Sequence, residues 1–240
     1  MKKSLLIIIL FSLAYSAQSQ VLISLLFGDK LNSDGVEFGL EGGYNYSNIS
    51  GLESSKALGT FNLGFYFDIR LKGRLSLSTG VLVKSNHGIN KLTDHDLVKL
   101  EARTYAEEGT YSQKISYFMV PIMLRHKFKN RLYLEGGVQS SLMSKAWIEF
   151  NSKNDGIESK IKETNTGDIN RIDAGLIGGT GYLLKKTNGM TVGIKYYYGL
   201  TNVYKHISNS KNSSLYLKIN VPIGAGKKKK KEEELNTISQ

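Results

Sequence analysis

Between residues 61 and 84 the chain alternates. Phe61, Leu63, Phe65, Phe67, Ile69 and Leu71 recur at every second position, separated by Asn62, Gly64, Tyr66, Asp68 and Arg70. A strand's pleat sends successive side chains to opposite faces, so the pattern predicts one apolar and one polar face. After the basic turn Lys72-Gly73-Arg74, Leu75, Leu77, Val81 and Val83 stand against Ser76, Ser78, Gly80 and Lys84. Two such runs joined by a tight Gly-containing turn predict a β-hairpin. Each arm is close to the ~9–11 residues with which a tilted strand crosses a bilayer.

The same period recurs elsewhere. Val36, Phe38, Leu40, Tyr44 and Tyr46 predict a strand over 36–46. Phe118, Val120, Ile122 and Leu124, opposite Arg125 and Lys127, predict one over 114–128, where Pro121 is expected to mark a bulge or a protected edge. Leu132, Leu134, Val138 and Leu142 alternate with Glu135, Gly137, Gln139 and Ser141 over 131–147, and further strands are predicted over 171–184, 190–199 and 215–223. The connectors alternate in length: 47–58, 72–74, 85–113, 129–130, 151–168, 185–189 and 205–212, with Thr93 a candidate cap for a short helix ahead of Leu97. The expected fold is all-β, an eight-stranded antiparallel up-and-down barrel.

Alternation leaves the sign of the faces open, since a lipocalin-like soluble barrel and a transmembrane barrel share it with opposite polarity. The polar face carries Gly39, Gly43, Gly64, Gly80, Gly137, Gly175, Gly179, Gly181, Gly193 and Gly199. So many glycines would weaken a solvated outer surface, whereas in a narrow lumen they make room for large neighbours. That face also carries near-balanced charges, which predict a structural lumen network of Glu37, Glu41, Asp68, Arg70, Lys84, Arg125, Glu135, Arg171, Asp173, Lys195 and Lys218. Tyr44, Tyr46, Tyr196 and Tyr198 at one end, with Phe128 and Tyr182 at the other, fall where aromatic girdles lie. The expected barrel is therefore transmembrane, apolar side outward.

Composition adds the compartment. Lys2-Lys3, an apolar run over 5–11 and small residues at Ala14, Ser16, Ala17 and Ser19 predict a signal peptide over 1–19, hence export. A periplasmic segment over 20–34 is expected next, although Val21 to Phe27 has no firm assignment. The barrel would occupy 35–224 and a charged periplasmic tail 225–240, with both termini in the periplasm. With no Cys there is neither a disulfide nor a lipidated Cys. The formal charge of +11 falls to about +7 once the first two lysines and the Lys-Glu tail are set aside. In an exported chain that excess predicts contact with anionic lipid or water, and no nucleic-acid partner.

Phe38-Gly39-Leu40-Glu41-Gly42-Gly43, the hairpin over 61–83, Phe118-Met119-Val120-Pro121-Ile122, Tyr133-Leu134-Glu135-Gly136-Gly137 and 194–202 together resemble the PorT family of small, porin-like outer-membrane β-barrels of Bacteroidota. The resemblance covers roughly 34–224. It implies an eight-stranded outer-membrane barrel, with outer-membrane lipid and the barrel-assembly machinery as partners. Such barrels usually end on an aromatic residue; here the last strand ends near Ile223 and a Lys/Glu-rich tail follows.

Catalytic chemistry finds little support. His87, His95, His126 and His206 lack metal-ligand spacing. Asp94-His95-Asp96 reads as a solvated loop, and no G-x-S-x-G nucleophile signature occurs. No cofactor, metal site or catalytic residue is expected. The expected role is a non-enzymatic anchor or scaffold with loops that bind a periplasmic or surface protein, in a secretion or surface assembly. A narrow small-solute channel is the alternative, and a loop-borne enzyme the third reading.

Overall fold

A computed structural model describes residues 35–154, 157–184 and 189–223. The segments expected as signal peptide, N-terminal segment and charged tail lie outside these residues. Among the described residues nine strands run in chain order: β1 (Val36–Ile49), β2 (Lys56–Arg70), β3 (Leu75–Asn90), β4 (Gly109–Lys127), β5 (Leu132–Asn154), β6 (Ile157–Thr164), β7 (Ile172–Leu183), β8 (Thr191–Gly199) and β9 (Asn212–Pro222). A single-turn helix, α1 (Asp94–Lys99), follows β3.

Eight of the strands close a ring, β1-β2-β3-β4-β5-β7-β8-β9, and β9 returns to β1. Every neighbouring pair is antiparallel. β6 stays outside the ring and folds back on the far end of β5. The connections β2–β3, β4–β5 and β7–β8 share one end, called here the turn end; the others share the loop end. The expected eight-stranded antiparallel barrel is the observed one.

The faces have the predicted sign. Phe118, Val120, Ile122 and Leu124 on β4, Leu134, Val138 and Leu142 on β5, and Leu215, Leu217, Ile219 and Val221 on β9 all point out and are exposed. Tyr66, Tyr117, Tyr133, Tyr197 and Tyr216 point in and are buried. Glycine makes two of those placements feasible. A Cβ on Gly39 would meet the Tyr66 ring, and one on Gly181 or Gly193 would meet the Tyr133 hydroxyl.

The strands outrun their predicted ends at the loop end. β3 continues to Asn90 and β4 begins at Gly109, so the connector expected over 85–113 shrinks to 91–108. The loop expected over 47–58 shrinks to 50–55, and most of the one expected over 151–168 is the β5–β6 hairpin. These stretches are polar because they stand above the apolar belt, not because they leave the sheet. Pro121 marks neither a bulge nor an edge. Its ladder to β5 runs on through Gln139, and on its β3 side, where it has no N–H to give, no pairing falls between Ile122 and Met119. Thr79 Oγ1 donates to its carbonyl at 2.8 Å.

Candidate functional site

Inside the ring the charges gather toward the turn end, and Arg125 is their centre. Its Nε and Nη2 donate to one oxygen of Glu135 at 2.9 and 2.7 Å, and its Nη1 donates to Asp68 at 2.9 Å. Lys218 binds the other Glu135 oxygen. Lys195 meets Glu41 at 2.5 Å, and Lys127 closes the mouth on Asp68 at 2.8 Å. Cation and ring also meet face-on: the Arg125 guanidinium lies 4.6 Å from the Tyr133 centroid and Lys195 Nζ 5.2 Å from that of Tyr216. Three buried cations thus face three buried carboxylates, which offsets the cost of taking each from water.

Of the residues expected in this network, Glu41, Asp68, Arg125, Glu135, Lys195 and Lys218 come together there. Glu37 is half-buried and accepts from Tyr66 at 2.9 Å. Asp173 is buried but apart, accepting from Asn212 and Thr201 at 3.0 Å each. Three assignments need correction. Arg70 is exposed at the turn-end tip of β2, and Arg171 is exposed just before β7 at the loop end. Lys84 points outward, because Val83 and Lys84 are both exposed and the β3–β4 register shifts between Leu82 and Ser85. A bulge there slips the alternation by one residue.

Above the charges, Tyr216 shares a 2.5 Å hydrogen bond with His87, whose ring is surrounded by Tyr117, Tyr197 and Tyr216. Higher still, Leu92, Leu97, Ile115, Ile169, Val203 and Tyr204 form an apolar plug under the loops. The lumen is therefore filled at three heights by three kinds of side chain. Nothing in the sequence marks His87 as the occupant of the middle layer, since its partners come from β4, β8 and β9.

The loops themselves are joined into a circuit. Ser50 N donates to Lys211 O at 2.9 Å, linking the β1–β2 and β8–β9 loops. Glu53 N and Ser54 N donate to Asp96 of α1 at 2.6 and 2.9 Å. Arg103 N donates to Glu163 of β6 at 3.1 Å, and the bridge between Ile169 and Tyr204 returns to the β8–β9 loop. Asp96 is no solvated loop residue: it is fully buried and completes a capping box with Thr93. Burial pushes its carboxyl up, but the amides of Glu53, Thr93 and Ser54 outweigh that and hold it below the usual carboxylate range. His95 is exposed, 4.0 Å from Glu53. Among the described residues no group of His, Cys, Asp or Glu is placed to hold a metal. A shallow depression of about 580 Å³ opens beside α1, lined in part by Asp94, Tyr105, Glu107, Glu108 and Tyr111.

A family profile described as "Outer membrane protein beta-barrel domain" matches residues 17–205. No curated protein sequence matches the chain. Among solved structures, Ail of Yersinia pestis superposes with a TM-score of 0.43 at 11% identity over 79% of this chain and 99% of its own. Neisserial surface protein A gives 0.41 at 13% over 78% and 99%, and OprG of Pseudomonas aeruginosa 0.34 at 12% over 79% and 93%. Likeness at these scores bears on no role.

Proposed function

Because the chain belongs to the outer membrane protein β-barrel domain family, and so to the outer membrane, we propose that it is a non-enzymatic anchor that holds an ordered loop platform for a protein partner at the cell surface. The observation that carries this reading is the closed circuit of hydrogen bonds through the β1–β2, β3–β4, β6–β7 and β8–β9 connections. Loops bound to one another lose little freedom when a partner docks, so more of the contact energy appears as affinity. The orientation belongs to the proposal: turn end in the periplasm, loop end outside, as short turns and longer loops are distributed in bacterial barrels. Placement in the PorT branch, with a secretion or surface assembly as its setting, rests on the segments that resemble that family.

The chemistry of the barrel favours an anchor over an enzyme or a channel. Glu41, Asp68 and Glu135 are each committed to a cation and Asp96 to backbone amides, so none is left free as a general base. The apolar plug under the loops narrows the lumen, which speaks for an anchor rather than a channel. The test joins two measurements. A photo-crosslinking residue at Glu107 is expected to give one discrete protein adduct in cells while one at lipid-facing Val120 gives none, and planar bilayers should show no steady conductance. Equal labelling at both positions, or stable open-channel current, would overturn the reading.

A further inference from the structure

Directly above the apolar belt, the outer face of β4, β5 and β6 changes character. Opposed residues share a face: Ser116 stands against Lys145, Lys114 against Trp147, and Ser112 against Glu149, which in turn faces Lys162, while Asn151 faces Lys160. With the pair Lys153 and Glu158 beyond them, the face carries five lysines and two carboxylates, and past a register shift at Ser116 and Tyr117 it gives way to Phe118 and Leu142 of the belt. Trp147, the only tryptophan of the chain, stands one pair above Ser116 and Lys145. Lys145 and Lys162 lie 5.5 and 5.4 Å from the centroid of its ring, and its Nε1 donates to Glu149 at 3.2 Å. Lys114 is committed to Glu149 at 2.6 Å, but Lys160 and Lys162 reach it only at 3.8 and 3.9 Å and remain more than half exposed. Lys84 joins the lower rim from β3, across from Phe118's strand.

We infer that this face is a lipid site: Lys145, Lys160 and Lys162 grip the phosphate of a phosphomonoester lipid headgroup while Trp147 packs at the boundary of its acyl region. The chemistry is complementary on both counts. Exposed lysines beside a membrane attract anionic headgroups, and tryptophan favours the level where apolar chains meet water. Glu149 is taken closely by Lys114 and only distantly by Lys160 and Lys162, which leaves those two more than half exposed for a headgroup. The inference rests on the outer-membrane placement and on the loop end standing at a headgroup layer.

The lone tryptophan supplies the readout. Full-length protein folded in phosphatidylcholine vesicles should shift its Trp147 emission as phosphatidic acid is added, with saturation at low mole fraction. A K145Q/K160Q/K162Q variant, checked for folding by heat-dependent gel mobility, should need roughly a hundredfold more, at about one tenfold step per one or two lysines lost. The corresponding Lys→Arg triple variant should retain the response. An unchanged titration in the Gln variant overturns the proposal, as does equal competition by free inorganic phosphate. Orientation is read separately: in this cysteine-free chain, Glu107→Cys should label with an impermeant maleimide on intact cells. Failure to label would sink the orientation and leave the vesicle result standing.

Discussion

Arg125 and Glu135 face each other across the β4–β5 ladder, and the guanidinium places two donors on one carboxylate oxygen while Lys218 holds the other. Neither partner could be lost quietly. Arg125→Leu leaves Asp68 and Glu135 buried with too little positive charge, which should cost about 3–5 kcal/mol. Urea unfolding of the barrel in vesicles, followed by loss of the compact gel band, measures it. A loss below about 1 kcal/mol, the value of an ordinary surface pair, would mean that water reaches the network.

The outward face makes a contrasting prediction. Ile122 lies within the apolar run of β4, so Ile122→Arg should destabilise the barrel by about 2–4 kcal/mol. Lys84→Leu, at the loop-end edge of the apolar belt, should change stability by less than about 1 kcal/mol, since a lysine near an interface already reaches water. Equal costs at the two positions would contradict the assigned belt.

Asp96 predicts a pH dependence confined to the loops. Its folded pKa is depressed, so its contribution is complete above the ordinary carboxylate pKa and is lost as pH falls through the lower folded value. The protection factors of the Glu53 and Ser54 amides, corrected for the intrinsic exchange rate, should fall at acidic pH, while those of amides within the barrel ladders should not. Asp96→Asn should show the lowered protection already at neutral pH. If the two amides stay protected in that variant, the circuit does not depend on this carboxylate.

The phase of each strand was legible because one residue type dominated every second position, from Phe61 to Leu71 and again in Phe118 to Leu124. Period two survives without knowledge of partners. Pairing does not: that Arg125 meets Glu135 and Lys195 meets Glu41 depends on register between distant segments. Lys84 shows the other failure. Val83-Lys84-Ser85 continues the alternation on paper, and only the ladder to β4 reveals the extra outward residue. The β5–β6 hairpin was missed although Ala146, Ile148 and Phe150 alternate along it, because the polar turn and the lysines and glutamates of β6 read as a loop. Trp147 and its lysines were hidden with it.

The seam of the ring joins the first strand to the last, with Gly39 opposite Pro222 and Ile49 opposite Asn212. Every other ladder of the ring joins strands with one connection between them, apart from the β6 excursion. This one cannot zip until the whole barrel has left the ribosome and crossed into the envelope. Until then β1 and β9 both present bare edges, and loop-closure entropy opposes their meeting. Closure is thus an all-or-none checkpoint, and any chain cut short of β9 stays an open sheet with its hydrogen-bonding groups available to a neighbour.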